Sequence, residues 1–433
     1  VTITRFCTPE MAQLWSEQNR YDTWTRVEVL VTEAQSRLGT VPAAALHHIR
    51  SAPPPSAARV ARLEAERDHE VLAFLAAYCE TIPDDAARWV HLGMTSYDLV
   101  DTALGATLAT ASDLLLDSAR ALLRVLVEGA LRYWDTVCIG RTHGIHAEPT
   151  TFGHKLAGFG FAIDRGIARL STARQAVAVG TISGAVGTYS LIDPFIEQYV
   201  CRELGLGVEP VPTQVVARDR HAELVCAVAT LAACVEAIAL ELRLLQRSEV
   251  GEVAERRKSA YQGSSAMPHK RNPTASERLC GLARVLRGHI GPFLENVALW
   301  HERDLAHAAV ERLALPQVLG VAHYQLTLAT DVVATLEVSP DRMRANIDHT
   351  AGTVYSSLVL ARLLADGVER EHAYRLLQTA AATTDDAGNA RFEEVLADQG
   401  IEVDGLDPHR FLTRHDVVLQ RLKTLADTGE NIS

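Results

Sequence analysis

Between two helical stretches lies ERRKSAYQGSSAMPHKRNPTASE, the segment whose residue types are best suited to chemistry. Paired hydroxyls at Ser264 and Ser265 follow a glycine, and Lys270 and Asn272 sit between Pro268 and Pro273. A serine hydroxyl is a poor base at its ordinary pKa. It takes a proton only where a closed loop desolvates it and nearby amides and a cation such as Lys270 favour the alkoxide. On composition alone the same segment reads as a flexible connector. It ends at a strong helix start, where Thr274 and Glu277 have capping-box spacing just after Pro273. A second polar stretch, GRTHGIHAEPTTFGHK from Gly140, puts His143 and His146 three apart. That spacing suits metal ligation, but no third ligand is sensibly placed, so no metal is expected.

Such segments need long, rigid elements to hold them. From His221 to Val250 there is no Gly or Pro, and Leu224, Val228, Leu231, Val235, Ile238, Leu242 and Leu245 recur at helical spacing. This predicts one helix, roughly 45 Å long at 1.5 Å rise per residue. Similar texture runs from Ser112, a polar cap candidate, to Trp134, from Thr274 to His289 and from Pro316 to Leu336. Alternating strand patterns with Asn-Gly or Asp-Gly turns are largely missing. The fold class expected is therefore all-α, built on an elongated helical bundle. Breaks at Gly39, Pro53 to Pro55 and Pro83, and later at Gly352, Gly367, Gly388 and Gly400, suggest shorter helices on either side. The domain map is an N-terminal helical domain over 1–111, a central long-helix bundle with the Ser264 loop over 112–348, and a C-terminal helical domain over 349–433. The run LVCAVATLAACVEAIAL is apolar on more than one face, which a solvent-facing helix does not tolerate, so an oligomer is expected.

Composition narrows the classes further. With 433 residues, 48% hydrophobic and 22% charged, the chain is not disordered. A formal net charge of −12 argues against a nucleic-acid partner, because neutralising phosphates needs a surplus of Lys and Arg on one face. No apolar run is expected to reach membrane-crossing length, and VTITRFCTPEM lacks the order of a signal peptide, so a cytoplasmic protein without a membrane partner is expected. The seven cysteines show no CxxC pair and read as small core residues in a reducing compartment.

GSSAMPHKRNP resembles the signature of the fumarase, aspartase and adenylosuccinate lyase superfamily. HLGMTSYDLVDTAL from His91, the RTHG stretch, SGAVGTYSLIDPFIEQYVC, TQVVARDRHAE and WHERDLAHAAVER are similar to its adenylosuccinate lyase branch, so the likeness covers nearly the whole chain. The resemblance implies an all-α homotetramer with a twenty-helix core, active sites shared between subunits, a small dicarboxylate substrate, and no metal or organic cofactor. The implied chemistry is β-elimination from a substituted succinate to give fumarate. Abstracting a proton beside a carboxylate builds a dianionic aci-carboxylate, which the site must stabilise before the leaving group departs. By the same resemblance Ser264 is the general base, with Ser265 supporting the turn. Lys270 and Asn272 meet the carboxylate, and His143 is the general acid with Glu277 as its charge partner. Thr95, Ser96, Thr142, Gln214 and Arg303 match positions that bond the succinyl carboxylates or the scissile region, and His69 and His91 match pocket histidines.

Departures from the branch cluster where a nucleotide phosphate and ribose would sit. Ala306, Ala308 and Ala309 stand where serines are usual, though Arg312 remains. The triplet Asp68-His69-Glu70 exchanges a cation for an anion, Phe6 follows Arg5 in place of a tyrosine, and Tyr97 replaces a small hydroxyl residue. Loss of phosphate donors beside an intact succinate half points to a smaller, phosphate-free substrate. The reading that follows is a resemblance to nitrosuccinate lyases of natural-product pathways, which release nitrite and fumarate. The alternatives are an adenylosuccinate lyase of purine biosynthesis and another dicarboxylate lyase or a cycloisomerase of the carboxymuconate type. A non-catalytic scaffold is disfavoured by intact Ser264, Lys270, Asn272 and His143.

Overall fold

The computed structural model describes residues 4–256, 267, 269–387, 390–403 and 405–430. Helices dominate it, and the described strands form three two-stranded sheets, so the all-α class expected from the sequence is the one found. The chain divides into two compact units. Unit 1 holds Val1–Ala119, Arg165–Val235 and Gly281–Thr327; unit 2 holds Arg120–Asp164, Glu236–Cys280 and Leu328–Ser433.

Five long helices contribute residues to both: Ser96–Arg132, Phe152–Val177, Asp219–Leu245, Thr274–Gly288 and Ala306–Ala334. The first differs most from its sequence reading. It begins at Ser96 rather than Ser112, and Ser112 is fully buried in mid-helix with no hydrogen-bond partner for its hydroxyl. The true start is set by Thr95 and Asp98, three apart: the Asp98 carboxylate accepts the Thr95 N–H at 2.8 Å, the return half of a capping box. The 306–334 helix also begins earlier than expected and carries Pro316 in its interior, where the ring leaves the carbonyl four residues back without its helical donor. The predicted 221–250 helix stops at Leu245.

Two of these helices, Ser96–Arg132 and Asp219–Leu245, are long and apolar enough to cross a membrane, which corrects the sequence expectation. Their most apolar windows are 61% and 56% buried inside the protein. Leu224, Val225, Val228, Leu231 and Val235 are all at most 3% exposed, so in this fold their apolar surface is spent on packing.

In unit 1 the Glu17–Arg37 helix is capped by Ser16, whose hydroxyl accepts the Asn19 N–H at 3.2 Å. Its buried Tyr21, Trp24, Val27, Val31 and Ala34 recur every three or four residues. Two of them meet the Glu70–Cys79 helix, where Phe74 stacks on Tyr21 at 5.9 Å and meets Trp24 edge-on at 5.3 Å. Close backbone approach occurs at Gly105, where a Cβ would stand 2.2 Å from the Val179 carbonyl oxygen. In unit 2 an antiparallel hairpin, Val137–Thr142 with Ile145–Thr151, pairs Thr142 with Ile145 across its turn. A smaller core of Val359, Leu377, Ala380, Phe392, Val395 and Leu396 sits in its C-terminal part.

Candidate functional site

In unit 1 a cavity of about 430 Å³ is lined by four residues singled out from the sequence: His69, Ser96, Arg303 and Arg312. Each is positioned by a local device. His69 is the N-cap of the Glu70–Cys79 helix, and its Nδ1 accepts the Leu72 N–H at 3.3 Å. Ser96 opens its helix, and Asp98 ties that start to the following layer by accepting the N–H groups of Ser183 at 2.9 Å and Gly184 at 3.2 Å. Burial pushes the Asp98 carboxyl above its ordinary pKa, against the pull of these three backbone donors.

Arg303 and Gln214, 89 positions apart, are brought together: the guanidinium donates to Gln214 Oε1, while Gln214 Nε2 donates to the Ala185 carbonyl at 2.8 Å. The same guanidinium lies 3.9 Å above the Tyr97 ring. Burial, with Asp101 nearby, pushes the Tyr97 phenol up to about 12. His91 is reached by a carboxylate that the sequence did not suggest. Glu28, fully buried, accepts from the His91 backbone N–H at 3.0 Å and meets its Nδ1 at 2.6 Å. Burial alone would lower the His91 pKa; the Glu28 charge outweighs it, and the imidazolium is favoured. His91 also has φ of 61°, a left-handed conformation that its two hydrogen bonds to Glu28 help to hold.

Behind the cavity lies a charge network drawn from TQVVARDRHAE and WHERDLAHAAVER. Arg218 makes two bonds to Asp101, at 2.6 and 2.9 Å, and reaches Glu311 at 3.2 Å, while His221 Nδ1 meets Glu311 at 2.7 Å. Glu311 lines the cavity, and although burial opposes its charge, His221 and Arg218 hold its pKa well below the ordinary carboxylate range. Arg218, Asp101, Glu311 and His221 thus hold one another by charge, while the buried Arg218 Nε and both ring nitrogens of His307 have no hydrogen-bond partner.

In unit 2, His143 and Gly144 form the turn of the hairpin with φ of 56° and 81°, the paired positive values of a two-residue hairpin turn. Thr142 and His143 are exposed there. Just before the turn the hairpin is pinned by Arg141, which bonds the fully buried Glu252 at 2.6 and 3.2 Å; Asn346 also donates to Glu252 at 2.7 Å. Ser264 and Ser265 lie outside the described residues. The flanks of their segment are described: Lys270 is exposed, Asn272 is partly covered, and Glu277 is exposed in the first turn of the Thr274–Gly288 helix. Glu255 caps that helix, accepting the N–H groups of Ala275 at 3.1 Å and Ser276 at 2.7 Å. Gln246 accepts the Glu255 N–H at 3.0 Å and donates to the Arg271 carbonyl at 3.1 Å, so the two ends of the segment are fastened to each other. Within one chain, His143 and Glu277 form no hydrogen bond or ion pair with each other. Among the described residues no group of three His, Cys, Asp or Glu side chains could hold a metal ion.

A predominantly helical fold, with a cavity lined by His69, Ser96, Arg303 and Arg312, frames the comparison with known proteins. Residues 5–288 match the Lyase family, and the chain belongs to it, a lyase of the fumarase/aspartase superfamily. Among its relatives, the adenylosuccinate lyase of Synechocystis sp. is 44% identical over 429 residues, covering 97% of this chain and 99% of that protein. The adenylosuccinate lyase of Bacillus subtilis is 44% identical over 376 residues, 87% of each. Among solved structures, a 3-carboxy-cis,cis-muconate lactonizing enzyme from Pseudomonas putida superposes with a TM-score of 0.89 at 28% identity, covering 99% of both chains. A fumarate lyase from Mesorhizobium sp. gives 0.87 at 27% identity, covering 96% of this chain and 98% of that one.

Proposed function

We propose that the chain cleaves the C–N bond of an N-substituted succinate and releases fumarate, the reaction type of the adenylosuccinate lyases to which it is similar. The observation that carries this reading is 44% identity over 97% of the chain to an enzyme of that name. The cavity that gathers His69, Ser96, Arg303 and Arg312 adds support. Ser264 takes the proton from the carbon beside the carboxylate, and Lys270 and Asn272 hold the doubly charged aci-carboxylate. His143, on its exposed turn, protonates the departing nitrogen. Its pairing with Glu277 is made between subunits of a homotetramer in this reading, since one chain does not supply it. Thr95, Thr142, Gln214 and His91 complete the succinyl half.

The relatives' names favour adenylosuccinate as the reference substrate over the nitrosuccinate expected from the sequence departures. One observation keeps the second reading: Ala308 and Ala309 line the cavity and present methyl groups where hydroxyls would bond a phosphate. The test is to supply the purified protein with adenylosuccinate, nitrosuccinate and other N-substituted succinates and follow fumarate. Fumarate from at least one is expected, and none from any refutes the reading. His143→Ala then separates the leaving groups. An amine needs its proton, and the loss should be about 10²–10⁴-fold, whereas nitrite leaves with little help.

A further inference from the structure

We infer that Tyr97 is a positioning residue for Arg303, and that the guanidinium it holds receives a carboxylate of the substrate. The inference rests on the C–N lyase reading above for its substrate. Among the described residues three guanidinium groups line the unit 1 cavity, those of Arg20, Arg303 and Arg312. Two of them are neutralised in place. Arg312 donates to both oxygens of Glu70, at 2.6 and 2.7 Å, and Arg20 donates to the same carboxylate at 2.9 Å. Arg303 differs, because among the described residues it forms no ion pair. Its neighbour in sequence, Asp304, is turned to the backbone, where it accepts the N–H groups of Trp300 at 2.8 Å and Ala306 at 2.7 Å.

What holds Arg303 is neutral. Gln214 Oε1 accepts from one guanidinium nitrogen, and the Tyr97 ring lies against the guanidinium at 3.9 Å. A single hydrogen bond leaves the guanidinium free to swing about it, and the ring removes that freedom. An amide oxygen and an aromatic face orient the cation without cancelling its charge, which stays available to an anion in the cavity. Tyr97 is itself well fixed. It lies in the first turn of the Ser96–Arg132 helix, whose start Asp98 secures, and it is 8% exposed. Behind it the His307 ring packs edge-on at 5.4 Å. Burial and the Arg218 charge lower the His307 pKa, so this backing ring is neutral and does not repel the cation. The Tyr97 phenol, pushed up to about 12 by burial and by Asp101, stays protonated, so no phenolate competes for the guanidinium. Its hydroxyl makes no hydrogen bond among the described residues, which leaves the ring face as the part that acts on Arg303.

The experiment compares the intact unmodified protein with Tyr97→Leu and Tyr97→Phe. Succinate binding is measured by titration calorimetry, and kcat and KM are measured with the N-substituted succinate that is turned over best. Tyr97→Leu removes the aromatic face and should weaken succinate binding and raise KM by about threefold to thirtyfold, with a smaller change in kcat. Tyr97→Phe keeps the ring and should restore most of that loss. Tyr97→Met takes the place of the leucine variant should the latter not fold. Unchanged affinity and KM in the variant without the ring overturn the inference, as does a fall in kcat with KM unchanged, which is what a merely structural role would give. A loss in Tyr97→Phe equal to that in Tyr97→Leu overturns it too, and so does an unmodified protein that does not bind succinate. The binding arm needs no turnover, so a failure of the C–N lyase reading, seen as no fumarate from any succinate, is registered separately.

Discussion

Replacing Glu28 with Gln should uncouple His91 from its charge partner in a way that pH exposes. The carboxylate makes two bonds to one residue, 3.0 Å to the backbone N–H and 2.6 Å to Nδ1, from a fully buried position. A glutamine oxygen can still accept the backbone N–H. Its amide, however, presents a donor to Nδ1, which must then be unprotonated, so the variant holds His91 neutral. Loss of one charge-assisted bond between buried partners costs about 1.5–3 kcal/mol. The pH sign follows from the His91 pKa, which in the folded protein is raised above its ordinary 6.5. The pair's contribution is complete below the unfolded pKa and is lost as pH rises through the folded one. Between the two values the slope for one proton is about 1.4 kcal/mol per pH unit. Urea unfolding of both proteins across pH 5 to 9, with the His91 imidazole followed by NMR, measures this. The gap in stability should be widest at acid pH and shrink as pH rises. A gap that is constant or grows with pH would refute the reasoning.

Further outcomes follow from single buried contacts. Asp98→Ala strands the N–H groups of Ser183 and Thr95 and should destabilise the protein by about 1–3 kcal/mol for each group left unpaired, read by chemical denaturation. Ser112→Ala removes a buried hydroxyl that has no partner and should raise stability by about 1 kcal/mol in the same assay. Glu255→Ala uncaps the Thr274–Gly288 helix, costing about 1–2 kcal/mol. Amide exchange at Ala275 and Ser276 should rise while the Glu70–Cys79 helix keeps its protection.

Much of this was legible in the residues. The all-α class came from periodicity and from the scarcity of strand patterns, and the superfamily from GSSAMPHKRNP. Arg303 and Arg312 were singled out from WHERDLAHAAVER, and both line the cavity with His69 and Ser96. The misses share one physical cause. Glu28 and Glu255 act on His91 and Ser276, partners 63 and 21 positions away, and no local pattern marks a carboxylate for a contact that only folding creates. The early start of the Ser96 helix was a different matter. Thr95 and Asp98 carried capping-box spacing in plain view, and Ser112, a cap by residue type, proved to be a core position because the apolar stripe runs on both sides of it. The apolar length of the Ser96–Arg132 and Asp219–Leu245 helices was underestimated because scattered Asp, Glu and Arg residues interrupt an otherwise continuous run.

The most direct test is Ser264→Ala in the intact protein, assayed for fumarate with the best N-substituted succinate found. If a hydroxyl at this position abstracts the proton, fumarate formation should fall by about 10²–10⁴-fold or more with the fold and substrate binding retained. Turnover equal to that of the unmodified enzyme would contradict the account.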